Sequence, residues 1–274
     1  MDISTIIGLL LGIGGLIFAF IMEAEGDVTR VSALFVPSAM MIIVFGTFGA
    51  LLVAFPMATF MNGLKAVSKT FFAKEQHPMH AIQLFTRLAE KARREGLLSL
   101  EEEEGSLDDD FVKKGIQLVV DGTDPELLTS IMEIEITQMM KRHEENRSVF
   151  EQAGGFSPTM GIIGTVMGLI NVLSTGGEDP AELVHGIAVA FIATLWGVLL
   201  ANVVWLPLGN KLKMRSEEEV VVRRIMLEGL LSVQAGENPR VIQEKLYGFL
   251  PPKHRQVASE SDETAAARPA AAEA

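Results

Sequence analysis

The chain contains no cysteine. That excludes a disulfide framework, a thiolate metal site and a thiol nucleophile, and it fits a reducing compartment. Signatures of catalysis are missing as well. There is no phosphate-binding loop and no nucleophile motif, and the five histidines lack metal-ligand spacing, so neither an enzyme nor a cofactor is expected. Positive charge is scarce. Lys and Arg number 23 against 35 Asp and Glu, and the formal net charge of −12 argues against nucleic acid as a partner. The most telling absence is narrower: four long apolar runs carry no acidic or basic side chain at their centres. Ion-driven membrane machines need an ionisable group within the membrane. If this chain conducts cations, another chain must bring the acid.

Apolar residues make up 49% of the 274, and the mean hydropathy of +0.31 places the chain in the membrane class. A helix crosses the hydrocarbon layer with roughly 20 apolar residues. Residues 3–22, 34–55, 156–173 and 183–208 meet that requirement. The second run opens near Pro37 and closes at Pro56, and His185 stands near the start of the fourth. Asp2 sits where a secretory signal would be basic, so the first run is expected to remain as a membrane helix.

Orientation follows from Lys and Arg near the span ends. Lys65, Lys69 and Lys74 follow the second run, and Lys141, Arg142 and Arg147 precede the third. Lys211, Lys213, Arg215, Arg223 and Arg224 follow the fourth. The short loop 23–33 has one Arg among three acids, and the loop 175–182 has acids only. Both short loops are therefore expected outside, with both termini and the long segment between spans two and three in the cytoplasm.

That long segment reads as helical. Ile82, Phe85, Leu88 and Ala89 form one apolar stripe within 77–95, which Gly96 ends or turns. Phe111, Val112, Ile116 and Val119 repeat the pattern within 108–120. Asp124-Pro125 is a strong helix start, and the helix it opens is expected to reach about Phe150 with Met132, Ile136, Met139 and Met140 on one side. After the fourth run, a charged amphipathic helix is expected over 209–234, continuing into the cytoplasm. Asn238-Pro239 starts a shorter one through Phe249, which Pro251 and Pro252 stop. From Ala258 onward, Ala, Glu and Ser dominate and cannot bury a core. The fold class is thus an all-α membrane protein. It has four transmembrane helices, a large helical cytoplasmic domain between spans two and three, and a cytoplasmic C-terminal helical extension.

Several features invite a functional reading, and each has a plainer rival. Gly161, Gly164 and Gly168 share one face of span three behind Pro158, which suits either close helix packing or a flexible entry. Thr165 and Thr194 place hydroxyls in two apolar spans. Each can bond back to its own helix, or the two together can line a polar path whose hard oxygens suit a partly dehydrated Na⁺. The run from Arg87 to Glu104 is either a solvated face of i,i+4 pairs or an electrostatic contact surface.

The segments 158–169, 186–196, 202–207 and 93–101 (Arg-Arg-Glu-Gly-Leu-Leu-Ser-Leu-Glu), with Asn-Pro-Arg-Val-Ile-Gln-Glu-Lys-Leu from Asn238, resemble the MotA/PomA branch of the family that also holds ExbB and TolQ. The resemblance runs from Met1 to about Pro252. It implies a flagellar stator subunit in the bacterial inner membrane. Five copies would surround a dimer of a MotB-like, peptidoglycan-anchored partner that supplies the missing aspartate. Ion flow would turn the pentamer and drive the rotor protein FliG. By motif position, Arg93 and Glu101 match the rotor-contact pair, with Arg94 and Glu95 as neighbouring charges. Pro158 and Pro207 match the prolines that couple ion passage to conformational change. Thr165 and Thr194 match positions where sodium-driven members carry Thr, although proton-driven ExbB-like relatives keep both. The pair favours Na⁺ and leaves H⁺ open.

The implied layout is residues 1–56 for spans one and two, 57–155 for the cytoplasmic torque domain and 156–208 for spans three and four. The C-terminal cytoplasmic helices take 209–252, and a disordered acidic, Ala-rich tail takes 253–274. An ExbB/TolQ-like energiser of outer-membrane processes is the nearest rival, but those proteins have three spans and an outside N-terminus. A self-contained channel and a non-conducting membrane scaffold are further rivals.

Overall fold

The computed structural model describes residues 3–72, 78–174, 180–252 and 255. Lys74, most of the 175–182 loop and the tail lie outside them. Among the described residues every regular element is helical: α1 Ile3–Glu23, α2 Pro37–Ala54, α3 Met57–Phe72, α4 Pro78–Glu95, α5 Glu101–Glu104, α6 Asp110–Val120, α7 Pro125–Ser174, α8 Pro180–Leu199, α9 Leu206–Gln234 and α10 Pro239–Tyr247. Among the described residues, four helical stretches are long and apolar enough to cross a membrane: Ile3–Glu23, Pro37–Ala54, Pro125–Ser174 and Leu183–Gln234.

Local chemistry explains the boundaries. Asp124 accepts from the Glu126 amide at 2.9 Å, Asp109 from the Phe111 amide at 2.9 Å, and Asn238 from the Arg240 amide at 3.0 Å. Each satisfies an amide that a helix start leaves without a partner. Gly96 ends α4 at φ +90°, a conformation that a side chain disfavours. A short 3-10 turn, Leu97–Leu100, then leads into α5.

One helix departs from the sequence expectation. α7 does not stop near Phe150. It continues through Pro158 to Ser174, with Pro158 inside it. A proline lacks the amide that the Gly154 carbonyl would accept from, but it does not force a helix to end when neighbouring groups hold the backbone, as they do in membrane helices. The fourth apolar run continues into the charged helix behind it. A π-helical segment, Leu200–Trp205, joins α8 to α9 and ends two residues before Pro207. Pro207 has no amide for the Val203 carbonyl, so the α pattern cannot close there. Met140 also differs from expectation. Met132, Ile136 and Met139 are buried, whereas Met140 is exposed.

The chain forms two compact units, Met1–Lys74 with Lys141–Ser216 and Glu75–Met140 with Glu217–Ala274. The first unit holds the apolar helices. Leu51, Phe60, Val149 and Ala153 are buried in it, packed by Phe48, Phe156 and Trp205. In the second, the stripes of α4 and α6 meet α9 and α10, burying Phe85, Leu88, Ile116, Met132, Ile225 and Ile242. Here Gly229 permits close approach, because a Cβ on it would lie 2.4 Å from the Phe85 ring.

Candidate functional site

Ser157, Gly161 and Thr165 are spaced by four along α7 and so share a face. On α8, Ala190, Thr194 and Gly197 form the opposing row. The rows touch at backbone distance. A Cβ on Gly161 would fall 2.9 Å from the Ala193 carbonyl oxygen, and one on Gly197 would fall 3.0 Å from the Gly161 Cα. A Cβ on Gly168 would meet that of Ala190 at 2.8 Å. Small residues thus bring the two helices together over about three turns.

This approach brings Thr165 and Thr194 together. Their hydroxyls are hydrogen-bonded to each other. The Thr165 hydroxyl also lies 3.1 Å from the Gly161 carbonyl and 3.1 Å from the Ala190 carbonyl. The Thr194 hydroxyl lies 3.4 Å from the same Gly161 carbonyl. Both threonines are half-buried. Two hydroxyls bring two protons to a cluster of four oxygens, so at any moment the cluster keeps unused lone pairs. Hard oxygen donors of this kind suit a small cation.

The prolines are placed differently. Pro158 adjoins Ser157, whose hydroxyl donates to the Gly197 carbonyl at 2.9 Å. Pro207 stands beyond the π segment, outside the oxygen cluster. Trp196 anchors α8 in a third direction: its indole N–H donates to the Leu34 carbonyl at 2.6 Å and its ring lies 5.4 Å from that of Phe35. Sequence reasoning missed both the Ser157 and the Trp196 bonds, because each joins segments far apart in the chain.

In the second unit the charge run from Arg87 to Glu104 divides in two. Lys91 donates to Glu103 at 2.9 Å and lies 3.5 Å from Glu102, while Arg87 lies 3.9 Å from Glu103. Gln117 donates to Glu104 at 2.6 Å. The Lys91 hydrogen bond holds the Glu103 carboxyl below the usual range, and the same bond raises Lys91. Arg93, Arg94, Glu95 and Glu101 are exposed and take part in no ion pair among the described residues. Leu98, within the same turn, is 72% exposed. Among the described residues no cluster of His, Asp or Glu is arranged to hold a metal ion.

Residues 103–244 match the MotA/TolQ/ExbB proton channel family. The chain is 40% identical over 258 residues to motility protein A of Bacillus subtilis, covering 91% of this chain and 93% of that protein. It is 35% identical over 250 residues to chemotaxis protein PomA of Vibrio alginolyticus, covering 91% and 96%. Among solved structures it is similar to a chain of the flagellar MotAB stator complex from Bacillus subtilis, with TM-score 0.83, 39% identity and coverage of 92% and 97%. It is also similar to a chain of C. jejuni MotAB, with TM-score 0.85, 28% identity and the same coverage. By its helices, its motifs and its relatives, the chain belongs to the MotA/TolQ/ExbB proton channel family, in its motility protein A branch.

Proposed function

We propose that this chain is the ion-conducting, torque-bearing subunit of a flagellar stator in the bacterial inner membrane, with both termini in the cytoplasm. Five copies surround a dimer of a MotB-like, peptidoglycan-anchored protein. That partner brings an aspartate beside Thr165 and Thr194, and cations pass between it and the threonine pair. Na⁺ is the favoured ion and H⁺ the alternative. Pro158 and Pro207 let α7 and the α8–α9 region change shape as the ion passes. Arg93 and Glu101, with Arg94 and Glu95 beside them, press on FliG.

One observation carries this reading. Among the described residues, the oxygens of Thr165, Thr194, Gly161 and Ala190 are grouped on the α7–α8 seam, and none belongs to a carboxylate. Such a set can strip part of a cation's hydration, but it cannot take up a proton or a full charge by itself. A partner carboxylate completes it. That Arg93 and Glu101 form no ion pair among the described residues supports the second half of the reading, since charges spent on internal pairs are not available to steer an encounter.

The test is rotation of tethered beads in stator-less flagellated cells that express this chain with its MotB-like partner. Na⁺ is exchanged for K⁺ at constant membrane potential and pH. Speed that follows Na⁺ supports both the stator role and the ion. Speed indifferent to Na⁺ assigns H⁺. No rotation, with both proteins present in the membrane, counts against the role.

A further inference from the structure

Helical serines and threonines usually return their hydroxyl to a carbonyl three or four residues back in the same helix. Ser68, Thr86, Thr129, Ser148 and Ser174 do so here. Ser157 does not. It is fully buried, and its hydroxyl crosses to α8 to donate to the Gly197 carbonyl at 2.9 Å. An acceptor on its own helix was at hand, because Pro158 leaves the Gly154 carbonyl without its usual amide donor.

The crossing bond is joined to the oxygen cluster by direct contacts. Gly197 lies against Gly161, where a Cβ on Gly197 would reach the Gly161 Cα at 3.0 Å and the Ser157 carbonyl oxygen at 2.7 Å. The Gly161 carbonyl is in turn the oxygen shared by Thr165 and Thr194. At 1.5 Å per residue, Ser157 sits about 12 Å along α7 from Thr165, on the same face. A bond at that point sets the depth and rotation of α8 on α7. Sliding or turning α8 there carries Thr194 away from Thr165.

We propose that Ser157 is a positioning residue for cation passage: its bond to Gly197 holds Thr165, Thr194 and the Gly161 carbonyl in register. The proposal rests on the reading of that cluster as the Na⁺ path. It assigns Ser157 no contact with the ion. Its effect is expected in apparent Na⁺ affinity, with the turnover available at saturating Na⁺ preserved.

The experiment records bead speed against Na⁺ concentration for the full stator carrying Ser157→Ala, Ser157→Cys or Thr165→Ala, with membrane levels measured in parallel. Ser157→Ala is expected to raise the half-saturating Na⁺ several-fold and to keep the maximal speed. Ser157→Cys, close in volume but a weaker donor, is expected to fall between it and the parent. Thermal unfolding of the purified complex in Na⁺ and in K⁺ gives a second measure, in which Ser157→Ala needs more Na⁺ for the same stabilisation. A Thr165→Ala shift with an unmoved Na⁺ curve for Ser157→Ala overturns the positioning role and leaves the cation path standing. A uniform loss of speed at all Na⁺ concentrations overturns it too, as the mark of a purely structural residue. If Ser157→Ala does not accumulate, a parental Na⁺ curve for Ser157→Cys overturns it. Failure of Thr165→Ala itself to move the curve rejects the cation path, and the proposal with it.

Discussion

Gly161 and Gly197 are in backbone contact across α7 and α8, with room for a Cβ on neither. The atoms in the way are main-chain atoms, which cannot swing aside as a flexible side chain would. Gly197→Ala is therefore expected to force the helices apart, at a cost of about 1–3 kcal/mol. Thermal unfolding of the purified complex should show the loss, and motility should fail with it. An unchanged midpoint would mean that the crossing is looser than these distances indicate.

Thr194→Val keeps the volume and removes one oxygen from the cluster. A lost hydrogen-bonding or ligating contact to a charged group costs roughly 1.5–3 kcal/mol, so half-saturating Na⁺ should rise about tenfold or more. Thr194→Ser, which restores the oxygen, should recover most of the loss. Bead speed over a Na⁺ series separates the two. Equal curves for Val and Ser would show that the side chain serves packing alone.

Arg93→Glu and Glu101→Lys alter charges that have no ion-pair partner among the described residues. Stability should change by no more than about 0.5 kcal/mol, as for surface positions away from special features. Swimming speed should nevertheless drop sharply, and opposite charge changes in the rotor should restore it. Lys91→Glu serves as the contrast, because it breaks the internal pairing with Glu103 and should lower stability as well as speed. If all three variants swim normally, the contact surface lies elsewhere.

The Lys91–Glu103 pair predicts a pH signature. Glu103 is lowered chiefly by the hydrogen bond from Lys91, with partial burial opposing and the charges of Lys91 and Arg87 assisting. A lowered carboxyl stabilises the fold above its ordinary range, and that contribution disappears as pH falls through the lowered value. Lys91 is raised, so its share is present below the ordinary lysine range and disappears only as pH rises through the raised value. Glu103→Gln should therefore melt earlier than the parent at neutral pH and equally in strong acid. Added salt should shrink the neutral-pH difference, because Lys91 and Glu103 are only partly shielded.

Much of the helical framework was written locally. Four apolar runs of membrane-spanning length are a property of composition, and Asp124, Asn238 and Gly96 act on amides or backbone angles within a few residues of themselves. The stripes of α4 and α6 were equally legible, because helical periodicity alone assigns Phe85, Leu88, Phe111 and Ile116 to one side. The continuity of α7 through Pro158 was not. Proline disfavours a helix interior, and only surrounding packing decides whether the helix goes on. The same limit applied to Met140, whose place on the edge of its stripe left its exposure to the neighbouring elements.

The sequence alone determined that two threonines lie in consecutive apolar spans, and that charges crowd the segment from Arg87 to Glu104. Only tertiary structure decided that Thr165 and Thr194 share one carbonyl, that Ser157 reaches α8, and that Lys91 pairs with Glu103 while Arg93 pairs with no described residue. The reason is register. Within one helix, which residues share a face follows from a fixed 3.6-residue turn. Between α7 and α8 it depends on the depth and angle of their crossing, which are set by glycines meeting across a gap that no local pattern encodes.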